Sequence, residues 1–182
     1  MFEGHPKGLW ALALANTGER FGYYTMLAVF LFFLQDNFGF DMGKSSTIQG
    51  IFLAVVYGVP LFGGILADKF GFGKMVTIGI FVMFTGYLLL SLPLGAGFFA
   101  LSVMILALSL ICAGTGLFKG NLQVLVGNLY DDPKYSAKRD EGFSIFYMAI
   151  NLGSMFAAAA ALTIMAWTQT EYGVSKADSY HF

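Results

Sequence analysis

A membrane-embedded bundle of α-helices is the fold class this sequence predicts, and three observations predict it. Hydrophobic residues fill 57% of the 182 positions and charged residues only 12%, where a soluble domain carries roughly a quarter charged residues. Five segments are each long and apolar enough to cross a bilayer, which takes about 20 residues. The short connections and the chain ends together hold most of the Lys and Arg, unevenly distributed.

The expected spans are 9–34, 48–70, 75–94, 98–129 and 142–168. The third and fifth contain no charge at all, the fourth holds only Lys119, and the first holds Glu19 and Arg20. That first segment is too long, and too charged in its middle, for a cleavable signal core. The connections cover 35–47, 71–74, 95–97 and 130–141, with no Ser/Pro-rich linker, so a single bundle is expected. With the N-terminus cytoplasmic, the inner connections hold Lys7, Lys69, Lys74, Lys134, Lys138 and Arg139, and the outer ones only Lys44 and Lys176. The positive-inside rule then fixes that orientation. Residues 168–182 read as a polar outer loop returning toward the membrane, so the sequence reads as a fragment, 1–182, that ends before a sixth helix.

Composition also excludes functions. A net charge of −1 offers no basic face to nucleic acid. The only cysteine, Cys112, rules out an intrachain disulfide and a multi-cysteine metal site, and reads as a small buried hydrophobe. His5 and His181 sit at opposite ends of the chain. No His-Glu-x-x-His, paired catalytic aspartates or Ser/His dyad occurs, so no catalytic residue, metal or cofactor is expected.

Ionisable groups inside an apolar segment cost roughly 2.5–3.5 kcal/mol each on insertion scales, and persist when they face a partner or a water-filled cavity. Helical rise puts Glu19 about 15 Å from the inner end of its span, Tyr57 about 16 Å, Lys119 about 18 Å and Asn151 about 15 Å. Four spans thus contribute polar groups to one layer. On the first span, Asn16, Glu19, Arg20, Tyr23, Tyr24 and Leu27 recur at helical spacing as one stripe. Ser109, Cys112, Gly116, Lys119 and Gln123 form a second stripe, and Ser144, Tyr147, Asn151 and Ser154 a third. Interhelical polar glue could account for Asn151 or Tyr57 singly. The whole set argues for a shared cavity, and two cations against one carboxylate favour an anionic ligand. Arg20 offers a planar fork to a carboxylate, and Lys119 a point charge.

Asn16-Thr17-Gly18-Glu19-Arg20-Phe21-Gly22-Tyr23-Tyr24 resembles the Glu-x-x-Glu-Arg-Phe-x-Tyr-Tyr signature of the proton-dependent oligopeptide transporters, a branch of the major facilitator superfamily. Residues 64–74, with Asp68, Lys69, Gly71 and Lys74, look like the superfamily's motif between helices 2 and 3. Gly116 to Asn121 resembles the family's Phe-Lys-Pro-Asn, and Phe143 to Ser154 its helix-5 signature. The resemblance implies the first five helices of a major facilitator bundle of two six-helix halves, in a plasma or bacterial inner membrane, working by alternating access. It implies small peptides and protons as cargo, and the absent C-terminal half as partner. Arg20, Lys119 and Asn151 would bind the peptide carboxylate, Tyr23, Tyr24 and Tyr57 would line the pocket, and Asp68 with Lys69 and Lys74 would form a conformational latch. The sequence departs from the pattern at three positions. Asn16 stands where the family has a coupling glutamate, which leaves Glu19, or a carboxylate of the absent half, as the proton-coupling candidate. Leu27 replaces a basic residue, and Gly120 a proline whose loss softens the expected kink.

Other readings are a carrier of another small anion on the same fold, such as nitrate or an amino-acid derivative, a structural membrane subunit, and an integral-membrane enzyme, for which the sequence offers no constellation. An acidic residue on the tenth helix of the full transporter would favour peptides, because a free amine needs a carboxylate.

Overall fold

The computed structural model describes residues 2–181. Among them every regular element is helical: α1 (Lys7–Phe38), α2 (Met42–Gly58), α3 (Pro60–Phe70), α4 (Phe72–Leu90), α5 (Phe98–Asn128) and α6 (Arg139–Tyr172), with short 3₁₀ turns at Ser136–Lys138 and Asp178–His181. Four stretches are long and apolar enough to cross a membrane, namely Met42–Phe70, Phe72–Leu90, Phe98–Asn128 and Ser136–Tyr172. The first segment, expected as a span, has the length in α1 but falls outside that set. Asn16, Thr17, Glu19 and Arg20 dilute its hydropathy.

Helix ends differ from the expected spans because hydropathy marks the apolar stretch, not the hydrogen-bonded one. The first helix runs on to Phe38 and stops at Gly39, whose left-handed backbone (φ 65°) lets its N–H reach the carbonyl of Gln35 at 2.9 Å. Three residues later α2 begins at Met42, capped by Asp41, whose carboxylate accepts the N–H of Lys44 at 3.0 Å. The expected 48–70 span is two helices. Pro60 lacks an N–H and occupies the first position of α3, so the chain breaks at Val59. The expected 75–94 span ends at Leu90, ahead of Pro93, which cannot continue a helix. Gly120 does not interrupt α5, which runs unbroken from Phe98 to Asn128.

The helices pair chiefly as α4 on α5, α1 on α6 and α3 on α5. Small residues let the backbones approach. On α6, Ala149, Gly153, Ala157 and Ala161 recur every fourth residue and are all buried. Against them, Thr17 donates to the Ala149 carbonyl at 3.1 Å and Thr25 to that of Ala157 at 3.4 Å. A Cβ on Gly114 would meet the Met83 N–H nitrogen at 2.6 Å and the Gly79 carbonyl at 2.7 Å, so α4 and α5 touch backbone to backbone. Asn121 ties α3 to α5 by donating to the carbonyls of Gly63 at 3.1 Å and Leu117 at 2.7 Å. Two hydrophobic clusters fill the bundle. One, around Phe30, Phe52 and Ile111, lies toward the end where α1 finishes. The other, around Leu9, Phe118 and Phe146, lies toward the end where α1 starts.

Candidate functional site

Between the two clusters lies the layer that carries the ionisable groups. Helix α1 supplies most of it. Its stripe turns Asn16, Arg20 and Tyr23 inward, and the side chain of Glu19 is only 3% exposed. Glu19 Oε2 lies 3.1 Å from Arg20 Nε. Geometry explains why Arg20 holds this position: Gly153 of α6 presses on the backbone there, and a Cβ on that glycine would lie 3.1 Å from Arg20 Cβ. A larger residue at 153 would push α1, and the guanidinium with it, out of the layer.

From the other side, α5 brings Lys119 and α2 brings Tyr57. The Lys119 ammonium sits over the Tyr57 ring, 4.3 Å from its centroid, a cation–π contact that shelters the charge without neutralising it. Glu19 feels both Arg20 and Lys119 electrostatically, and Arg20 and Lys119 feel each other. The arrangement thus concentrates two positive charges and one negative at the centre of the bundle. The carboxylate offsets one cation, and a positive surplus remains.

The other expected site residues fall in different environments. Tyr23 is 2% exposed and stacks on Phe52 at 6.4 Å, inside the apolar cluster, while Tyr57 is 58% exposed. Tyr24 is half-buried, edge-on to Tyr23 at 5.4 Å. Asn151 is exposed, two residues from the α1 contact at Gly153. The structure therefore brings Glu19, Arg20, Lys119 and Tyr57 together, and leaves Asn151 beside them on an open face. Asn16 is buried in the same layer. Leu27 packs against the apolar cluster. The α5 stripe splits: Ser109 and Gln123 are exposed, Cys112 is buried in the core, and Gly116 lies against Val59.

Asp68 occupies the last turn of α3, where the helix dipole disfavours a carboxylate. It is exposed, as are Lys69 and Lys74, and among the described residues no ion pair joins it to either lysine. Lys69 instead lies near the Phe70 ring, at 5.8 Å. The three residues expected to form a latch thus present their charges outward at the α3–α4 turn.

Two features escaped the sequence reading. The four-residue repeat of small side chains on α6 was legible in principle as small-xxx-small spacing. Tyr87, on α4 within the charge-free stretch after Lys74, packs against both hydrophobic clusters and within electrostatic reach of Glu19 and Arg20. A tyrosine in an otherwise apolar segment was the available signal.

Comparison with known proteins agrees with this geometry. A sequence profile described as the POT family matches residues 73–180. The chain is 42% identical over 164 residues to YclF, an uncharacterized transporter of Bacillus subtilis, and 37% identical over 164 residues to a di-/tripeptide transporter of Lactococcus lactis. In both cases the match covers 86% of this chain and 32% of the relative, so the chain spans about a third of their length. The crystal structure of a peptide transporter POT in complex with sulfate superimposes with a TM-score of 0.81 at 34% identity, covering 94% of this chain and 34% of that one. A POT family transporter in complex with 5-aminolevulinic acid gives 0.82 at 29% identity, covering 99% and 36%. These matches, on an all-helical bundle whose long apolar helices mark an integral membrane protein, show that the chain belongs to the POT family.

Proposed function

We propose that this chain is the N-terminal part of a secondary transporter that imports di- and tripeptides by alternating access, driven by protons. The observation that carries the reading is the gathering of Glu19, Arg20 and Lys119 in one layer at mid-bundle. Such charges inside apolar helices mark a substrate or proton pathway. A peptide's C-terminal carboxylate meets the positive surplus. Arg20 takes it through its fork and Lys119 through charge, with Asn151 as an additional polar partner. Tyr24 and Tyr57 flank the pocket, and Tyr23 supports it from the core. The relative of Lactococcus lactis named as a di-/tripeptide transporter supports this cargo. No step requires a metal, a cofactor or bond chemistry, so the protein is read as a carrier and not an enzyme.

Cargo sites in transporters of this kind lie between pseudo-symmetric halves. The C-terminal half is therefore the required partner, and vesicles carrying residues 1–182 alone are expected to take up no peptide. We place the protein in the cell membrane, plasma or bacterial inner, with the N-terminus cytoplasmic, on the bias of Lys and Arg toward the connections on that side. Asp68, Lys69 and Lys74, on that same side, are the proposed latch between halves. Glu19 is the proton-coupling candidate in this segment.

A second reading, a carrier of another small anion, has specific support: similar structures hold sulfate and 5-aminolevulinic acid. Lys119→Ala in the full-length transporter tests the shared premise. Dipeptide uptake should be severely weakened or abolished. Near-normal dipeptide binding in both Lys119→Ala and Arg20→Lys would make the cations structural and end the reading.

A further inference from the structure

Buried polar atoms almost always find a hydrogen-bond partner, and those that do not require an explanation. Along the layer described above, a run of such atoms lacks one. Glu19 Oε2 and Arg20 Nε have only each other, as an ion pair at 3.1 Å, while Asn16 Nδ2, Glu19 Oε1 and the Tyr23 hydroxyl are sealed from solvent without a hydrogen bond. So is the hydroxyl of Tyr87, which comes from a different helix, α4. Counted from the helix starts at Lys7 and Phe72, Glu19 is about 18 Å along α1 and Tyr87 about 22 Å along α4, so the two stand at similar depth.

Tyr87 occupies a singular place. It packs against both hydrophobic clusters, and so sits where they meet. One side of it lines a cavity of about 380 Å³ between α1, α4 and α6, together with Gly22, Thr25, Leu90, Ala161 and Met165. Its other neighbours are the charged layer: Glu19, Tyr23 and Arg20 act on it electrostatically. The groups Glu19 itself faces are Arg20 and Tyr23 on its own helix, Lys119 on α5 and Tyr87 on α4. The tyrosines of the layer, Tyr23 and Tyr57, also face each other, and α6 meets α1 here through the non-titrating Gly153.

We propose that Tyr87 is a positioning residue for Glu19: its hydroxyl donates, through ordered water, to the Glu19 carboxylate and thereby governs how that group exchanges its proton. This rests on the functional reading above and extends it to a residue of α4 far from Lys74, the latch candidate at that helix's start. The Tyr87 hydroxyl and Glu19 Oε1 are both buried without a hydrogen-bond partner, and a bridging water holds two to four such partners. A phenol also suits the place mechanically. Its ring is held by two cores, so the donor is fixed in direction.

The test uses the full-length transporter in liposomes and separates two readouts, counterflow exchange without a gradient and uptake driven by an imposed pH gradient. Tyr87→Phe keeps the ring and removes the donor. Counterflow should stay within about twofold of wild type, while driven uptake falls several-fold and the midpoint of its pH profile moves to higher pH, as expected when a carboxylate loses a donor. Glu19→Gln provides the second arm. If Tyr87 acts through Glu19, adding Tyr87→Phe to Glu19→Gln changes the profile no further. An unchanged profile in Tyr87→Phe, a further change in the double variant, or loss of counterflow in Tyr87→Phe would each overturn the inference. A failing Tyr87 prediction beside a defective Lys119→Ala overturns this inference alone, whereas intact dipeptide binding in Lys119→Ala and Arg20→Lys overturns the functional reading beneath it.

Discussion

The seam between α4 and α5 and the polar layer around Glu19 occupy the same bundle and obey opposite rules. In the seam, Gly79, Gly86 and Gly114 bring backbones into contact, and Thr115 donates to the sulfur of Met83 at 3.3 Å. In the layer, Asn16, Glu19 and Tyr23 of α1 and Tyr87 of α4 hold buried polar atoms without a hydrogen-bond partner, beside the Glu19–Arg20 ion pair and within reach of Lys119 of α5. One region is finished as it stands; the other is incomplete without water, a proton or cargo. The difference teaches where to look for function in a helical membrane protein. Close packing fixes the frame, and unmet polar demand at its centre marks the site.

The comparison breaks first, and hardest, at the seam. Gly114→Ala drives a methyl group against the Met83 nitrogen and Gly79 carbonyl, both of them backbone. Overpacking of this kind costs about 1–3 kcal/mol, to be read as a lowered melting temperature of the purified protein. Gly120, one and a half turns along the same helix, meets nothing within 4 Å of an added Cβ. Gly120→Ala should leave stability within about 1 kcal/mol of wild type, on the favourable side. Equal melting temperatures for the two variants would deny the seam its structural role.

In the layer, substitutions should spare stability and change transport. Arg20→Lys keeps the charge but loses the bidentate fork. The half-saturating dipeptide concentration should rise roughly tenfold, about 1.4 kcal/mol, with little change in melting temperature. Asn16→Glu adds a carboxylate at a buried position beside Glu19 and Arg20. It should steepen the dependence of uptake on an imposed pH gradient, because asparagine cannot titrate and glutamate can. A wild type that already concentrates peptide strongly, and is unchanged by Asn16→Glu, would move coupling away from position 16.

Much of this division was legible in the residues themselves. Glu19, Arg20 and Lys119 stand out because a charge in an apolar run demands a reason, and helical rise alone put them at one depth. The small residues at 149, 153, 157 and 161 were legible as spacing but not as contact, since an alanine-rich run looks the same facing lipid or a helix. The break at Val59 was hidden in an apolar stretch that hydropathy treats as continuous. Tyr87 was hidden differently. A lone tyrosine fits a membrane interface as well as a core, and only its meeting with Glu19 across three-dimensional space distinguishes it.

The smallest effect belongs to the end of the bundle where α1 finishes. There Tyr180 donates to Asp36 Oδ2 at 2.5 Å and the Lys176 ammonium lies 2.9 Å from the same oxygen. The Tyr180 hydroxyl, then Lys176, hold the Asp36 carboxyl below its usual range, and burial pushes the Tyr180 phenol up. The signs give a plateau. The Asp36 contribution is fully present above the ordinary carboxylate value of about 3.9 and is lost as pH falls through its lower folded value; the Tyr180 contribution is present below about 10 and is lost as pH rises through its higher folded value. The pair is largely solvent-screened, so Tyr180→Phe should cost well under about 1 kcal/mol. Hydrogen-exchange protection of residues 173–181, corrected for the intrinsic pH dependence of exchange, should fall at both extremes of pH and stay flat between them.

The central claim is that the cations of the layer bind a peptide carboxylate, and blocking that carboxylate tests it most directly. Competition for uptake by a dipeptide and by its C-terminal amide should be measured in the full-length transporter, wild type beside Lys119→Ala. Charge-assisted hydrogen bonds contribute about 1.5–3 kcal/mol, so in the wild type the amide should compete roughly ten- to a hundredfold more weakly. In Lys119→Ala, residual binding should discriminate far less between the two. Equal competition by peptide and amide in the wild type would contradict the account.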